Sequence, residues 1–334
     1  MAGGGIHTEL AEGDQDGRRD ARKGGCDVAV VRNQVKEGAL EGQTFAGKSL
    51  AVRYANFVKL PHTLFALPFA LVGVTLASYV APVTVSVVIW VIVAFSAARF
   101  AAMGFNRIVD REIDAINPRT MSREIPSGAL STRSASIAVG IAAAIFVLAA
   151  WELNPLCLYL APLALGWVFF YSYTKRFTRW SHLVLGLGLS IAPVGGYLAT
   201  TGLWSKPWWM LPSLAIAVAT WVGGFDILYA MQDEGFDREN KLFSIPSTFG
   251  QQRALILARL FHATTVGGLA LAGVASGAGA LYMAGVVACA ALLLYEHSLV
   301  KVGDLSKLDA AFFTMNGVIS IVFFGFVLAE RVLG

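Results

Sequence analysis

The chain alternates between long stretches without a charged residue and short connections that carry charge. The uncharged stretches are residues 60–98, 134–151, 153–174, 180–205, 207–225, 260–295 and 310–329. A helix needs about 20 apolar residues to cross the hydrocarbon core of a bilayer. Two stretches are long enough to cross twice, and they break at Pro82 and at the glycine-rich residues 276–279. The pattern therefore predicts nine membrane helices, near residues 60–80, 83–105, 134–152, 155–173, 181–200, 208–230, 254–275, 279–297 and 310–329.

The composition agrees with an all-α polytopic membrane protein. Of the 334 residues, 56% are hydrophobic and only 14% are charged, whereas soluble domains carry about 25% charged residues. This balance excludes an ordinary soluble domain, a disordered regulator and a disulfide-stapled secreted module. The three cysteines, Cys26, Cys157 and Cys289, show no CxxC spacing, which argues against a zinc site or a disulfide framework.

The short loops indicate which helix ends face the cytoplasm, because lysine and arginine accumulate in cytoplasmic loops. One set of alternate loops carries thirteen such residues, and the opposite side carries Lys206 and Arg331. The N-terminus is therefore predicted on the cytoplasmic side. The thirteen residues are Arg107, Arg111, Arg119, Arg123, Arg133, Lys175, Arg176, Arg179, Arg238, Lys241, Arg253, Lys301 and Lys307.

The first 45 residues differ from the rest of the chain. They are rich in glycine and in charges of both signs, and they contain no sustained apolar period. We interpret residues 1–45 as a disordered cytoplasmic tail without a signal peptide, followed by a membrane domain over residues 46–334 that opens with a short amphipathic segment. Basic residues alternate with acidic ones and no nucleic-acid-binding motif is present, so nucleic acid is not an expected partner.

Two acidic clusters follow the second and sixth predicted helices on the cytoplasmic side. Asn106, Asp110 and Asp114 recur every four residues, and so do Asp233 and Asp237. Residues four apart share one face of a continuous helix, and carboxylates in this arrangement suit Mg²⁺. The alternative is a solvated acidic helix end at each position. Two such clusters on one face of the bilayer favour a metal site.

Charged residues also precede each cluster by seven positions, which is close to two helical turns. These residues are Arg99 and Asp226, and both are predicted deeper in the membrane than the clusters. An ionisable group at such depth is costly and indicates a functional site. A purely structural ion pair between the two is the alternative.

Basic residues complete the predicted site. Tyr171 and Lys175 are four apart at the end of the fourth helix, Arg176 follows, and Arg119 and Arg123 lie just after the first cluster. Carboxylates, Mg²⁺ and surrounding cations are the groups expected around a diphosphate. An ordinary positive flank of the membrane is the alternative for Lys175 and Arg176.

These motifs resemble those of the UbiA-type intramembrane aromatic prenyltransferases, particularly the 4-hydroxybenzoate polyprenyltransferase branch. The resemblance extends from about residue 54 to residue 334. The matching stretches are residues 60–69, 106–114, 171–176 and 229–237. The family often has aspartate after the first asparagine, whereas this chain has Arg107, which adds a cation.

The resemblance implies nine helices around a central cavity that opens laterally to the bilayer, in the cytoplasmic (inner) membrane with a cytoplasmic catalytic face. It implies a polyprenyl diphosphate donor, an aromatic acid acceptor and Mg²⁺. The catalytic and metal-holding residues would be Asp110, Asp114, Asp233 and Asp237, with Asn106. Candidate substrate-binding residues are Arg99, Arg107, Arg119, Arg123, Tyr171, Lys175, Arg176, Asp226 and Tyr229. Candidate aromatic walls are Phe65, Phe69, Phe105, Phe170 and Tyr229.

Three alternatives stay open at this stage. An acceptor carboxylate would be held by Arg99, Arg53 or Arg119. The acceptor itself would be 4-hydroxybenzoate, for ubiquinone biosynthesis, or a dihydroxynaphthoate, for menaquinone biosynthesis, since local motifs do not separate the two. A transporter or flippase of an anionic lipid is the competing class. The acidic clusters lie at helix ends rather than midway, which favours the enzyme. The sequence predicts no oligomeric state.

Overall fold

The computed structural model describes residues 1–2, 45–47, 49–308 and 314–334, and only the backbone of residues 61–65. The predicted tail therefore lies outside the described residues except for a few positions. The described part is helical, and we number its helices in chain order. They are α1 (Leu50–Phe57), α2 (Leu60–Ala77), α3 (Val85–Val109), α4 (Arg111–Ile116), α5 (Thr132–Leu153), α6 (Pro155–Thr174), α7 (Ser181–Thr201), α8 (Met210–Ala230), α9 (Glu234–Glu239), α10 (Ile245–Ser276), α11 (Ala280–Leu299) and α12 (Asn316–Leu333).

The long helices coincide with the predicted membrane segments. Within the described residues, eight helices are long and apolar enough to cross a membrane. The first predicted segment coincides with α2, whose described apolar part, Ala66–Ala77, is shorter than a full crossing. The all-helical membrane class is therefore confirmed, while the count of nine crossings and the cytoplasmic N-terminus stay predictions.

Three helix boundaries within the described residues differ from the sequence-based prediction by four residues or more, and one of them is the end of α12 at Leu333, where the prediction placed it at 329. Helix α10 begins at Ile245, nine residues before the predicted start at 254. Its first turns are polar, and a capping box between Ser244 and Ser247 starts the helix. A kink at Gly250, with φ of 79°, separates this polar part from the apolar part. Helix α3 continues to Val109, four residues beyond its predicted end at 105.

The long helices form a closed ring in which each packs against the next along the chain, and α12 returns to α2. Helix α2 also crosses α7. The buried side chains at the centre include stacked and tilted aromatic rings, with Phe69 packing against both Trp221 and Phe323. Asn154 joins two helices, since its Oδ1 caps α6 while its Nδ2 donates to carbonyl oxygens of α7. The ring leaves internal cavities between the helices.

The crossing of α2 and α7 depends on glycine. A Cβ atom added at Gly73 would lie 2.0 Å from the carbonyl oxygen of Pro193, which is backbone and cannot rotate away. We expect Gly73→Ala to lower the free energy of unfolding by about 1–3 kcal/mol through overpacking. Thermal unfolding in detergent would measure the loss. Gly166→Ala is the matched control, because a Cβ there meets nothing within 4 Å, and an equal loss in both variants would contradict the expectation.

Candidate active site

The C-terminal ends of α3, α6 and α8 meet at one face of the ring. Lys175 Nζ lies 2.6 Å from Asp110 Oδ2, and Arg176 Nη2 lies 2.9 Å from Asp110 Oδ1. Arg176 also donates to the carbonyl oxygens of Ser172 and Val109, so one guanidinium caps the ends of two helices. Cations are favourable at helix C-termini, where the helix dipole is negative. The basic residues at the end of α6 therefore belong to the acidic site.

The first acidic cluster does not lie on one continuous helix, contrary to the prediction. Helix α3 ends at Val109, Asp110 adopts a non-helical conformation, and α4 begins at Arg111. Asn106 Nδ2 donates to Asp110 Oδ2 at 3.1 Å. The carboxylate of Asp114 is buried and accepts from Arg123 Nη1 through both oxygens, at 2.8 and 2.9 Å. The break turns the two carboxylates toward different basic partners.

The second cluster also follows a helix break. Helix α8 ends at Ala230, and a 3₁₀ turn leads into α9. Asp233 forms a bidentate ion pair with Arg119, and Asn117 Nδ2 donates to it at 3.2 Å. Arg119 Nη1 donates to the hydroxyl of Tyr229 at 2.9 Å. The loop after the first cluster is thus fastened to the second cluster.

Asp237, one turn after Asp233, is half-buried and lies beside Ser244 at the start of α10. The loop between α9 and α10 returns to the end of α6, because the amide of Phe243 donates to the carbonyl oxygen of Lys175 at 2.7 Å. These contacts form one connected polar layer. It consists of the loop between α9 and α10, the C-terminal ends of α3, α6 and α8, and the two acidic clusters.

A polar cavity of about 180 Å³ lies beneath this layer. Its lining includes Asn106 of the first cluster and one polar residue that was not predicted, Lys59. It also includes six predicted substrate-binding residues, which are Arg99, Arg107, Arg123, Tyr171, Asp226 and Tyr229. Arg99 is half-buried, and its Nε is enclosed without a hydrogen-bond partner among the described residues. An enclosed guanidinium nitrogen without a partner is costly unless a ligand supplies the acceptor.

Asp226 pairs with His182 rather than with Arg99. His182 Nδ1 lies 2.7 Å from Asp226 Oδ2, and His182 Nε2 accepts from the amide of Ile245 at 3.2 Å. Since Nε2 accepts, Nδ1 carries the proton and donates to the carboxylate. The histidine thereby links the cavity wall to the start of α10.

Arg107 is buried and pairs with Glu124 at 2.9 Å, while also lining the cavity. Four polar residues of the site are absent from the sequence-based prediction, namely Lys59, Asn117, Glu124 and His182. His182 lies in the first turn of a membrane helix, and an ionisable residue there is itself a signal. The other three lie in connections, where nothing in the local pattern distinguishes them from ordinary loop residues.

Of the candidate aromatic walls, Tyr229 lines the polar cavity. Phe69 belongs to the central core, Phe105 packs on Phe169, and Phe170 is 46% exposed on the outer surface. The side chain of Phe65 lies outside the described part. Phe225 lines the cavity instead.

The carboxylates of the polar layer are oxygen donors of the kind that bind a divalent cation. No three His, Cys, Asp or Glu side chains converge on one point within the described residues. Mg²⁺ does not need such a group, because it is bound by one or two carboxylates together with phosphate oxygens and water. Asp110, Asp114 and Asp233 supply hard oxygen ligands, and each is neutralised here by lysine or arginine.

A profile of the UbiA prenyltransferase family matches residues 66–318. The chain belongs to this family. UbiA relatives with similar sequences include the 4-hydroxybenzoate octaprenyltransferase of Shewanella pealeana, 28% identical over 85% of this chain and 96% of the relative. The enzyme of the same name from an Azoarcus species is 31% identical over 69% of this chain and 79% of the relative.

Solved UbiA structures are similar in fold. The apo structure of a UbiA homolog from Aeropyrum pernix K1 superimposes with a TM-score of 0.74 at 31% identity, covering 81% of this chain and 98% of that one. A UbiA homolog from Archaeoglobus fulgidus was solved bound to DMAPP and Mg²⁺. It superimposes with a TM-score of 0.64 at 19% identity, and the match covers 84% of this chain and 100% of the homolog. The chain is therefore an integral membrane prenyltransferase, and the enzyme is favoured over the transporter.

Proposed function

We propose that this protein transfers a polyprenyl group from a polyprenyl diphosphate to the ring of a hydroxylated aromatic carboxylate, with Mg²⁺, in quinone biosynthesis. The observation that carries the proposal is the polar layer of paired carboxylates and cations above a cavity that contains an enclosed arginine. The names of the similar enzymes support 4-hydroxybenzoate as the acceptor. A dihydroxynaphthoate is the second acceptor that we test.

The polar layer would bind the diphosphate of the donor. Asp110, Asp114, Asp233 and Asp237, with Asn106, are the groups that would hold Mg²⁺, which supplies neutralisation of the charge that develops on the leaving diphosphate. Lys175, Arg176 and Arg123 already lie in this layer and would contact the phosphate oxygens. A lysine or arginine side chain that is released from its carboxylate partner can then pair with a phosphate oxygen without leaving the site.

Arg99 is the arginine that we assign to the acceptor carboxylate. Of the three candidates, Arg53 donates to the carbonyl oxygen of Ala129 at 2.9 Å, and Arg119 is held by Asp233. Arg99 lines the cavity, and its enclosed Nε lacks an acceptor among the described residues. A bidentate carboxylate would satisfy this guanidinium and orient the ring.

The remaining cavity residues would control the reacting ring. We assign to Asp226, oriented by His182, the acceptance of the phenolic proton of the acceptor. As the allylic carbon–oxygen bond of the donor breaks, diphosphate leaves with the electron pair, and the ring carbon next to the acceptor oxygen bonds to the carbocation-like allylic carbon. Loss of the proton from that ring carbon restores the aromatic ring, and the departing diphosphate carries away the net proton. Tyr229 and Phe225 line the same space and would exclude water from the carbocation-like intermediate. The excess of basic residues on this face supports a cytoplasmic catalytic face.

The test uses membranes that contain the full-length chain, Mg²⁺, radiolabelled polyprenyl diphosphate and one acceptor at a time. We expect a prenylated 4-hydroxybenzoate that disappears when the divalent cation is chelated. Product with dihydroxynaphthoate but not with 4-hydroxybenzoate would move the protein to the menaquinone branch. No prenylated product with either acceptor would overturn the proposal. Membranes without the protein are the control for endogenous transferases.

A further inference from the structure

A pair of histidines lies inside the membrane domain, behind one wall of the polar cavity. His262 of α10 is buried and His297 of α11 is half-buried. Nδ1 of His262 lies 3.0 Å from Nε2 of His297. The described lining of the polar cavity includes neither residue, so the proposed reaction does not use them directly. An ionisable residue within a membrane helix is costly and indicates a function.

The hydrogen bonds of this pair run in one direction. Nε2 of His262 lies 3.2 Å from the carbonyl oxygen of Trp221 on α8. Because a carbonyl oxygen only accepts, Nε2 carries the proton, and Nδ1 of a neutral His262 accepts from Nε2 of His297. The other ring nitrogen of His297 is enclosed and has no hydrogen-bond partner among the described residues. The two imidazoles therefore join α11 to α10 and α10 to α8 through one chain of hydrogen bonds.

A glycine allows His262 to reach the backbone of α8. A Cβ atom added at Gly224 would overlap the imidazole of His262. The Trp221 carbonyl already accepts the amide hydrogen bond of the helix, so the imidazole uses its second lone pair. The imidazole is therefore seated against the helix backbone itself, just before Asp226.

The part of α8 that His262 contacts continues directly into the wall of the polar cavity. Four residues of α8 line this cavity, namely Val222, Phe225, Asp226 and Tyr229. Residues two apart in a helix, such as Gly224 and Asp226, point about 200° apart. His262 thus contacts the back of α8, while Asp226 faces the cavity. A rotation of α8, or a shift along its axis, would move Asp226 relative to Arg99 on α3.

Helix α10 also reaches Asp226 from the front. The amide of Ile245, at the start of α10, donates to Nε2 of His182, whose Nδ1 lies 2.7 Å from the Asp226 carboxylate. Further along the same helix, His262 contacts the backbone behind Asp226. Buried polar networks whose members are paired favour a single arrangement of the elements that they join. An apolar side chain would fill the same interface without specifying that arrangement.

We propose that His262, oriented by His297, is a positioning residue that fixes α8 so that Asp226 and Phe225 face the acceptor. The inference rests on the proposed function, because the role of Asp226 comes from there. It adds a pair of residues that touch neither substrate and that act through the backbone of α8.

His262→Leu is the direct test, because leucine fills the interface but offers no donor to the Trp221 carbonyl. We expect kcat for prenyl transfer to fall by at least about tenfold, since a displacement of about 1 Å at the reacting groups can cost about 100-fold. The KM for the polyprenyl diphosphate should change little, because Asp233 lies beyond the 3₁₀ turn and is held separately by Arg119. Normal kcat in a folded His262→Leu protein would contradict the proposal.

His262→Gln is the rescue variant, since a glutamine amide can donate from near the position of Nε2. It should keep kcat close to that of the wild type. The matched control is Thr265→Val, on the same buried face of α10. The Thr265 hydroxyl lies 3.0 Å from that of Thr220 on α8, but Thr220 is not among the described residues that line the polar cavity. An equal loss of kcat in His262→Leu and in either of these variants would assign the effect to packing and would overturn the proposal.

His297→Leu tests the second half of the pair and changes a less buried side chain. It should lower kcat in the same direction as His262→Leu but less, because His262 keeps its own donor to Trp221. Since His297 acts through His262, the double variant should lose no more than His262→Leu alone. Additive losses would show that His297 acts independently and would contradict its assigned role.

Hydrogen exchange followed by mass spectrometry tests the placement of α8 without relying on turnover. We expect faster exchange of the amides of residues 222–230 in both leucine variants than in the wild type or His262→Gln, because this segment loses its support from behind. Unchanged exchange in both leucine variants would overturn the proposal, and His297→Leu carries this comparison alone where His262→Leu does not fold. Transfer by the wild type, with unchanged kcat in the folded variants, would remove only the positioning role. No transfer by the wild type would remove the proposed function and the positioning role with it.

Discussion

Asp110→Asn is expected to lower kcat for prenyl transfer by about two to three orders of magnitude, the usual cost of removing a group that stabilises transition-state charge. Asp110 is 2% exposed and, among the described residues, is the one carboxylate that contacts both Lys175 and Arg176. The asparagine keeps the shape but loses the charge that would hold the cation and set the positions of both basic side chains. The measurement is transfer of radiolabelled prenyl group at saturating donor and acceptor.

The control for this variant is Glu112→Gln, two residues further on. The Glu112 side chain is 81% exposed and pairs only with its neighbour Arg111 among the described contacts, so its loss should leave activity unchanged. Thermal unfolding must accompany the assay, since leaving two cations without their counter-charge can cost about 3–5 kcal/mol when the pair is buried. Normal turnover by a folded Asp110→Asn protein would remove Asp110 from the proposed metal site.

Arg99→Met is expected to raise the KM for the aromatic acid by about 30-fold or more, because losing one partner of a buried charge pair costs about 2 kcal/mol or more. The KM for the donor should change little, since Arg99 lies deeper than the polar layer that would bind diphosphate. Methionine keeps the length and apolar bulk of the side chain. Initial rates over a range of acceptor concentrations, with donor held at saturation, measure the effect.

Arg53→Met is the matched comparison. Arg53 was an equal candidate on sequence grounds, but its guanidinium contacts the carbonyl oxygen of Ala129 and it does not line the described polar cavity. Its replacement should leave the acceptor KM unchanged. An increase confined to Arg53→Met would transfer the carboxylate-binding role to that residue, and an increase in donor KM alone for Arg99→Met would assign Arg99 to the diphosphate.

Much of the architecture follows from the sequence because the bilayer imposes a simple rule. Uncharged stretches of sufficient length must be helices, since a backbone in lipid has to satisfy its own hydrogen bonds. The rule fails where a helix leaves the membrane. Helix α10 starts at Ile245 because a serine caps it there. The prediction placed the start at 254 because it began the helix after the charged Arg253.

The candidate site was only partly predictable for a related reason. Spacing identified Asp110 and Asp233, but it assumed continuous helices, and both clusters lie at breaks. Partners such as Asn117 for Asp233 and His182 for Asp226 are separated by 116 and 44 residues. Such pairings are set by how the helix ends meet, which no local period encodes. Choosing among three arginines likewise required knowing which already had acceptors.

The pairing of Asp110, Asp114 and Asp233 with basic side chains has a thermodynamic consequence. Before substrate arrives the layer is internally neutralised, so a divalent cation alone must displace lysine or arginine, and a diphosphate alone must displace carboxylate. Arriving together, the two ligands exchange partners with the protein and leave its charge balance intact. On the proposed function we therefore expect their binding free energies to be coupled, so that each ligand raises the affinity for the other by the same factor. If the proposed function holds, the ion pairs of the substrate-free protein should make it bind the metal and the donor cooperatively.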